Sequence, residues 1–130
     1  MFCMASVLRR GERTEAMQNT PCLPHHRLIV FGVACEMVVA IVEAQIRDAK
    51  LRDEALRAVK SVGCNIAEGA GRVTRADKVC AFTIARGECV EAAAAVEIAA
   101  LLGAVSKDDA RKVVLLADRV VAMLTGLIRW

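Results

Sequence analysis

Two carboxylates, Glu68 and Glu91, with the amide of Asn65 beside the first, are the groups in this 130-residue chain best suited by type to acid–base work. Such a pair serves as general acid and base only if both sides reach one substrate. A helical-bundle metal centre would also need Glu-x-x-His on two helices, and the only histidines, His25 and His26, stand together near the N-terminus. Ser61 and Cys64 have no histidine at helical spacing to activate them. Gly69-Ala70-Gly71 lacks the G-x-x-x-x-G-K-[ST] pattern of a phosphate loop, and an apolar helix rather than a strand precedes it. The residues therefore read as a non-enzymatic protein without metal or cofactor. Asn65, Glu68 and Glu91 read as a structural polar cluster, hydrogen-bonded inside the fold or capping the 69–74 turn, with Arg72 or Arg86 as partners.

The cations are the second candidate chemistry. The net charge is only +3, but its distribution is uneven. Residues 68–87 hold Arg72, Arg75, Lys78 and Arg86 against Glu68 and Asp77, while residues 88–106 hold Glu88, Glu91 and Glu97 without a base. The last helix sets Lys107, Arg111, Lys112, Arg119 and Arg129 against three aspartates. A local basic patch attracts phosphates, which makes Arg72, Arg75, Lys78, Arg111 and Lys112 candidate nucleic-acid contacts. A merely solvated helix face accounts for the same charges. With no Tyr, three Phe and one Trp, composition argues against base stacking and leaves phosphate contact.

Four helices must position these groups. Ala, Val and Leu dominate, and the only prolines are Pro21 and Pro24, so helix propensity prevails and the chain reads as all-α. The first helix is expected over Arg27–Arg47, apolar on nearly every side and therefore in need of cover beyond one bundle. The second, over Leu51–Glu68, carries Leu51, Ala55, Val59, Val62 and Ile66 on one stripe and Glu54, Arg57, Ser61, Asn65 and Glu68 on another. Gly69 fits the left-handed position past its end. Thr74 caps a third helix over Arg75–Gly103, in which Gly87 suggests tight packing, and Ser106 caps a fourth over Lys107–Arg129. Short connections make the bundle antiparallel and up-down.

Residues 1–26 lack periodicity and read as a loose arm before a bundle domain of residues 27–130, with Met17 a candidate start. Leu28–Val42 is too short, at 15 residues including Glu36, to cross a membrane. Met1–Leu8 followed by Arg9-Arg10 reverses the order of a signal peptide. Six cysteines without C-x-x-C or zinc spacing read as reduced, buried thiols of a cytoplasmic protein.

Arg57-Ala58, Ser61-Val62, Asn65-Ile66-Ala67-Glu68-Gly69 and Gly71-Arg72, followed by Phe82, Ala85, Gly87 and Glu91, resemble the small bacterial four-helix-bundle proteins first noticed in intervening sequences of large-subunit ribosomal RNA genes. The resemblance runs from about His26 to the C-terminus. Glu88 stands where those proteins often have Ser, and Glu54 lies where many have Gln nearby. The resemblance implies a ring-shaped homopentamer. It also implies distant kinship to the accessory protein of diversity-generating retroelements, a basic pentamer that binds a reverse transcriptase and nucleic acid. The leading expectation is an oligomer binding RNA, DNA or a ribonucleoprotein component through its cations; the alternative is a protein-interaction scaffold that touches no nucleic acid.

Overall fold

The computed structural model describes residues 21–130, which form four α-helices after one 3-10 turn. The helices are α1 (Ile29–Glu43), α2 (Ala49–Gly71), α3 (Arg75–Leu101) and α4 (Lys107–Arg129). Three of them start on a side-chain cap: Asp48 accepts the Leu51 N–H at 2.9 Å, Thr74 the Asp77 N–H at 3.2 Å and Ser106 the Asp109 N–H at 3.1 Å. Each such cap contributes about 1 kcal/mol. The links between helices are so short that neighbours run antiparallel. Side-chain pairs follow that sense, with Arg57 meeting Glu91 across α2 and α3, and Cys89 lying against Ala117 across α3 and α4.

Met37 and Ile41 of α1, Val59, Val62 and Ile66 of α2, Cys89 and Val96 of α3, and Val113, Val120 and Leu124 of α4 are fully buried and form one core. No polar or charged residue among those described is buried. The expected inner stripe of α2 holds from Ala55 to Ile66, while α3 buries more than one row. Ala81, Ala92, Ala95 and Ala99 join Phe82, Ala85, Cys89, Ala93 and Val96 inside, because alanine lets neighbouring backbones come close on two sides.

Helix boundaries differ from the expectation where long-range contacts set them. α1 is shorter than Arg27–Arg47: Leu28 is extended, and Gln45 at φ 48° ends the helix so that Ile46 turns into the core. Arg47 then binds the opposite link, its N–H to the Ala104 carbonyl at 2.8 Å and its guanidinium to the Gly103 carbonyl. α2 continues past Glu68 to Gly71, so Gly69 is not a left-handed terminator; among the described glycines the one with positive φ is Gly103, at 72° after α3. Gly69 faces inward and lies under the ring of Phe82. Gly87 does not pack tightly within the chain, for nothing lies within 4 Å of where its Cβ would stand.

One further expectation changes. Val30 and Ile41 are covered by the chain's own core, so the uncovered part of α1 reduces to Ile29, Val39 and Val42, each more than half exposed, with Val38 half-buried. Of the expected arm, residues 1–20, Met17 and Cys3 among them, lie outside the described residues. Pro24–Arg27 forms the 3-10 turn, with His25 edge-on to Phe31 at 4.6 Å.

The five cysteines among the described residues are free, but they are not uniformly buried: Cys89 is buried and Cys35 half-buried, whereas Cys22, Cys64 and Cys80 are exposed. Burial pushes the Cys89 thiol up to about 11, so it holds very little thiolate at neutral pH. We expect a soluble alkylating reagent at pH 8 to modify Cys22, Cys64 and Cys80 promptly and Cys89 only on unfolding. Peptide mass mapping reads this directly. Labelling of Cys89 as fast as Cys64 would contradict the core described above.

Candidate nucleic-acid interface at one end of the bundle

Alternating helix directions bring four termini together: the starts of α1 and α3 and the ends of α2 and α4. The last carbonyls of α2 and α4 have no partner inside their own helices and carry the negative end of each macrodipole. Two of the expected cations satisfy them. Arg75 forks onto the Leu127 and Ile128 carbonyls at 2.8 and 2.7 Å, capping α4 from the first turn of α3. Lys78 Nζ donates to the Ala70 carbonyl at 2.9 Å and the Gly69 carbonyl at 3.3 Å, capping α2. Carbonyls carry no net charge, so both cations keep theirs while their side chains are held. Arg72 instead pairs with Glu68 one turn back, a bond that raises its pKa further. Arg27 and Arg129 stand at the same end.

Arg111 and Lys112 lie at the opposite end, as the alternation of helices requires. There Lys107 and Arg111 line an open groove of about 690 Å³ together with Glu97, Leu101, Val114 and Leu115. A single protomer therefore does not combine the five expected contacts into one surface. It presents Arg72, Arg75 and Lys78 at one end and Arg111 and Lys112 at the other.

Asn65, Glu68 and Glu91 do not form the expected polar cluster. Asn65 Nδ2 donates to the Ser61 carbonyl at 2.9 Å and to Ser61 Oγ at 3.0 Å, within its own helix. Glu68 is half-exposed and occupied by Arg72. Glu91 joins a different constellation, missing from the sequence reading, in which the Arg57 guanidinium meets Glu54 at 2.7 Å, Glu91 at 3.1 Å and Glu88 at 3.5 Å. The bond from Arg57 holds the Glu54 carboxyl below its ordinary range, whereas the hydrogen bond shared with Glu54 pushes Glu91 up. Glu88 Oε2 is closed to water and has no hydrogen-bond partner, only the nearby Arg57 charge. One cation among three carboxylates ties α2 to α3 and supplies neither a nucleophile nor a base aimed at a cleft. The available signal was Glu54–Arg57 and Glu88–Glu91, two pairs at i,i+3 on adjacent helices.

Composition alone also understated Trp130. It is 92% exposed at the end of α4, on the wall of a groove of about 410 Å³ that includes Arg27, Ile29, Met123 and Leu127.

Residues 26–126 match the sequence model of a family described as 23S rRNA-intervening sequence protein. A crystal structure at 1.70 Å resolution of a protein of unknown function, from the S23 ribosomal protein family of Bacteroides thetaiotaomicron VPI-5482, has a similar fold. The TM-score is 0.72 at 20% identity, over 78% of this chain and 96% of that one. No curated protein matches the chain.

Proposed function

Because the chain belongs to the 23S rRNA-intervening sequence protein family, we propose that it is a non-enzymatic, oligomeric accessory protein of the cytoplasm that binds RNA or a ribonucleoprotein. The observation that carries this reading is the charge of one end of the bundle. Arg27, Arg72, Arg75, Lys78 and Arg129 stand there against Glu68 and Asp77. Two of these cations are fixed by the carbonyls they cap, so little side-chain entropy remains to be lost on meeting a phosphate. Phosphate contacts of this kind give affinity without sequence preference. Assembly into five subunits, the state the sequence resemblance implies, would repeat the basic end as a ring and add the fields of its copies. Arg111 and Lys112 would form a second, weaker ring at the other end. The reverse transcriptase of a retroelement, or another protein of a ribonucleoprotein, is the kind of protein partner this reading admits.

A second reading, a scaffold without nucleic-acid binding, is favoured by the uncovered Ile29, Val39 and Val42 of α1. Burying one such side chain at a subunit contact is worth about 1.5–3 kcal/mol. Light scattering with and without single-stranded RNA, in low and high salt, separates the two. The RNA reading expects a defined oligomer whose mass rises with RNA in low salt and returns to its starting value in high salt. An oligomer whose mass ignores RNA at low salt leaves the scaffold.

A further inference from the structure

Trp130 projects into solvent at the same end of the bundle as the cations, beside a groove bounded by the first turn of α1 and the last turns of α4. A volume of about 410 Å³ lies within the range of small-ligand clefts. The groove pairs an apolar wall (Ile29, Met123 and Leu127) with an indole, and Arg27 lies along its edge. Arg75 fixes the end of α4 through the Leu127 and Ile128 carbonyls, three and two residues before the tryptophan. Gly126 contributes no side chain to fill the groove, and a Cβ there would meet nothing within 4 Å. An indole beside an arginine is matched by a flat, apolar ring that carries a phosphate. Base–aromatic stacking tolerates any base and adds to the charge term of single-strand binding.

We propose that this groove takes one unpaired nucleobase of a single-stranded RNA, stacked on Trp130, with Arg27 on its phosphate. The proposal rests on the RNA-binding reading above and adds a position and a strandedness to it. Charge favours RNA over a second copy presenting the same end, since two ends each carrying five cations against two carboxylates repel. Duplex RNA keeps its bases stacked on one another and offers none to the indole.

The chain contains one Trp and no Tyr, so its intrinsic fluorescence above 295 nm excitation is that of Trp130 alone. The test titrates full-length protein with a ten-nucleotide single-stranded RNA and with the same sequence as a duplex. Single-stranded RNA is expected to quench the tryptophan while the duplex does not. Trp130→Ala should weaken single-strand binding roughly 5- to 150-fold, the range for one base on one aromatic ring, and Trp130→Phe should keep most of it. Matching circular-dichroism melts of the variants establish that the exposed position carries no folding role.

Binding that depends on salt but leaves the fluorescence and the Trp130→Ala affinity unchanged would overturn the stacking site and spare the phosphate contacts. A tryptophan already shielded from a soluble quencher in RNA-free protein would mean that a second copy occupies the groove, and that also sinks the proposal. Failure of any RNA to bind in low salt removes this site together with the reading it rests on.

Discussion

Gly69→Ala should lower the stability of the fold by about 1–3 kcal/mol, the usual cost of an extra methyl in a packed core, although alanine is the better helix former. A Cβ at residue 69 would stand 2.6 Å from Phe82 Cε1 and 2.7 Å from Cδ1. Phe82 is itself buried, so its ring cannot swing into water to make room. Helix propensity alone gives the opposite sign, a gain of about 1 kcal/mol for replacing glycine inside a helix. Gly87 isolates that gain, because a methyl there meets nothing within 4 Å. Gly87→Ala is therefore expected to raise stability by up to about 1 kcal/mol. Urea unfolding of the two variants measures the contrast, and Phe82→Leu in the Gly69→Ala background should return part of the loss through a double-mutant cycle. Equal and positive effects at both glycines would show that the Phe82 ring does not seat on Gly69. A Gly87→Ala chain that is more stable yet fails to assemble would instead locate a subunit contact on that face of α3.

The two glycines also show what a sequence can and cannot announce. Gly69 follows a polar stripe at the close of an apolar period, which is where helices commonly end. Nothing local distinguishes a terminator from a seat for a ring 13 residues further along. Local signals succeeded where their partners were local. Thr74 and Ser106 cap helices whose third residues they bind, α4 runs from Lys107 to Arg129 as its periodicity required, and Gly103 takes the positive φ that stops α3. The end of α1 has no glycine or proline to mark it. It is set by the burial of Ile46 and by the bonds of Arg47 to a link more than fifty residues away. At the candidate site, helix alternation was enough to assign each basic residue to an end of the bundle. The capping roles of Arg75 and Lys78 were not legible, because their acceptors are backbone carbonyls with no side-chain signature. Nor was the exposure of Trp130, a residue that composition reduces to a count of one.

Those capping roles decide which substitution tests RNA binding cleanly. Arg75→Gln removes a charge and also strips two carbonyls at the end of α4 of their donors, so lost binding would be confounded with lost structure. Arg72→Gln breaks only an exposed ion pair with Glu68, of the kind that adds little to stability. If RNA phosphates meet this end of the bundle, Arg72→Gln should reduce the slope of log K against log salt by about 0.7 for each arginine that a single strand contacts. The loss should be large in low salt and should fade as salt rises. Glu68→Gln in the same chain restores the local net charge without restoring the arginine. Recovery of affinity in the double variant therefore assigns the effect to the summed field of the basic end, while persistent loss assigns it to a direct Arg72–phosphate contact. A slope indifferent to Arg72 in both backgrounds would remove this residue from the interface. The contrast between the two variants needs no knowledge of the RNA sequence, since phosphate contact carries none.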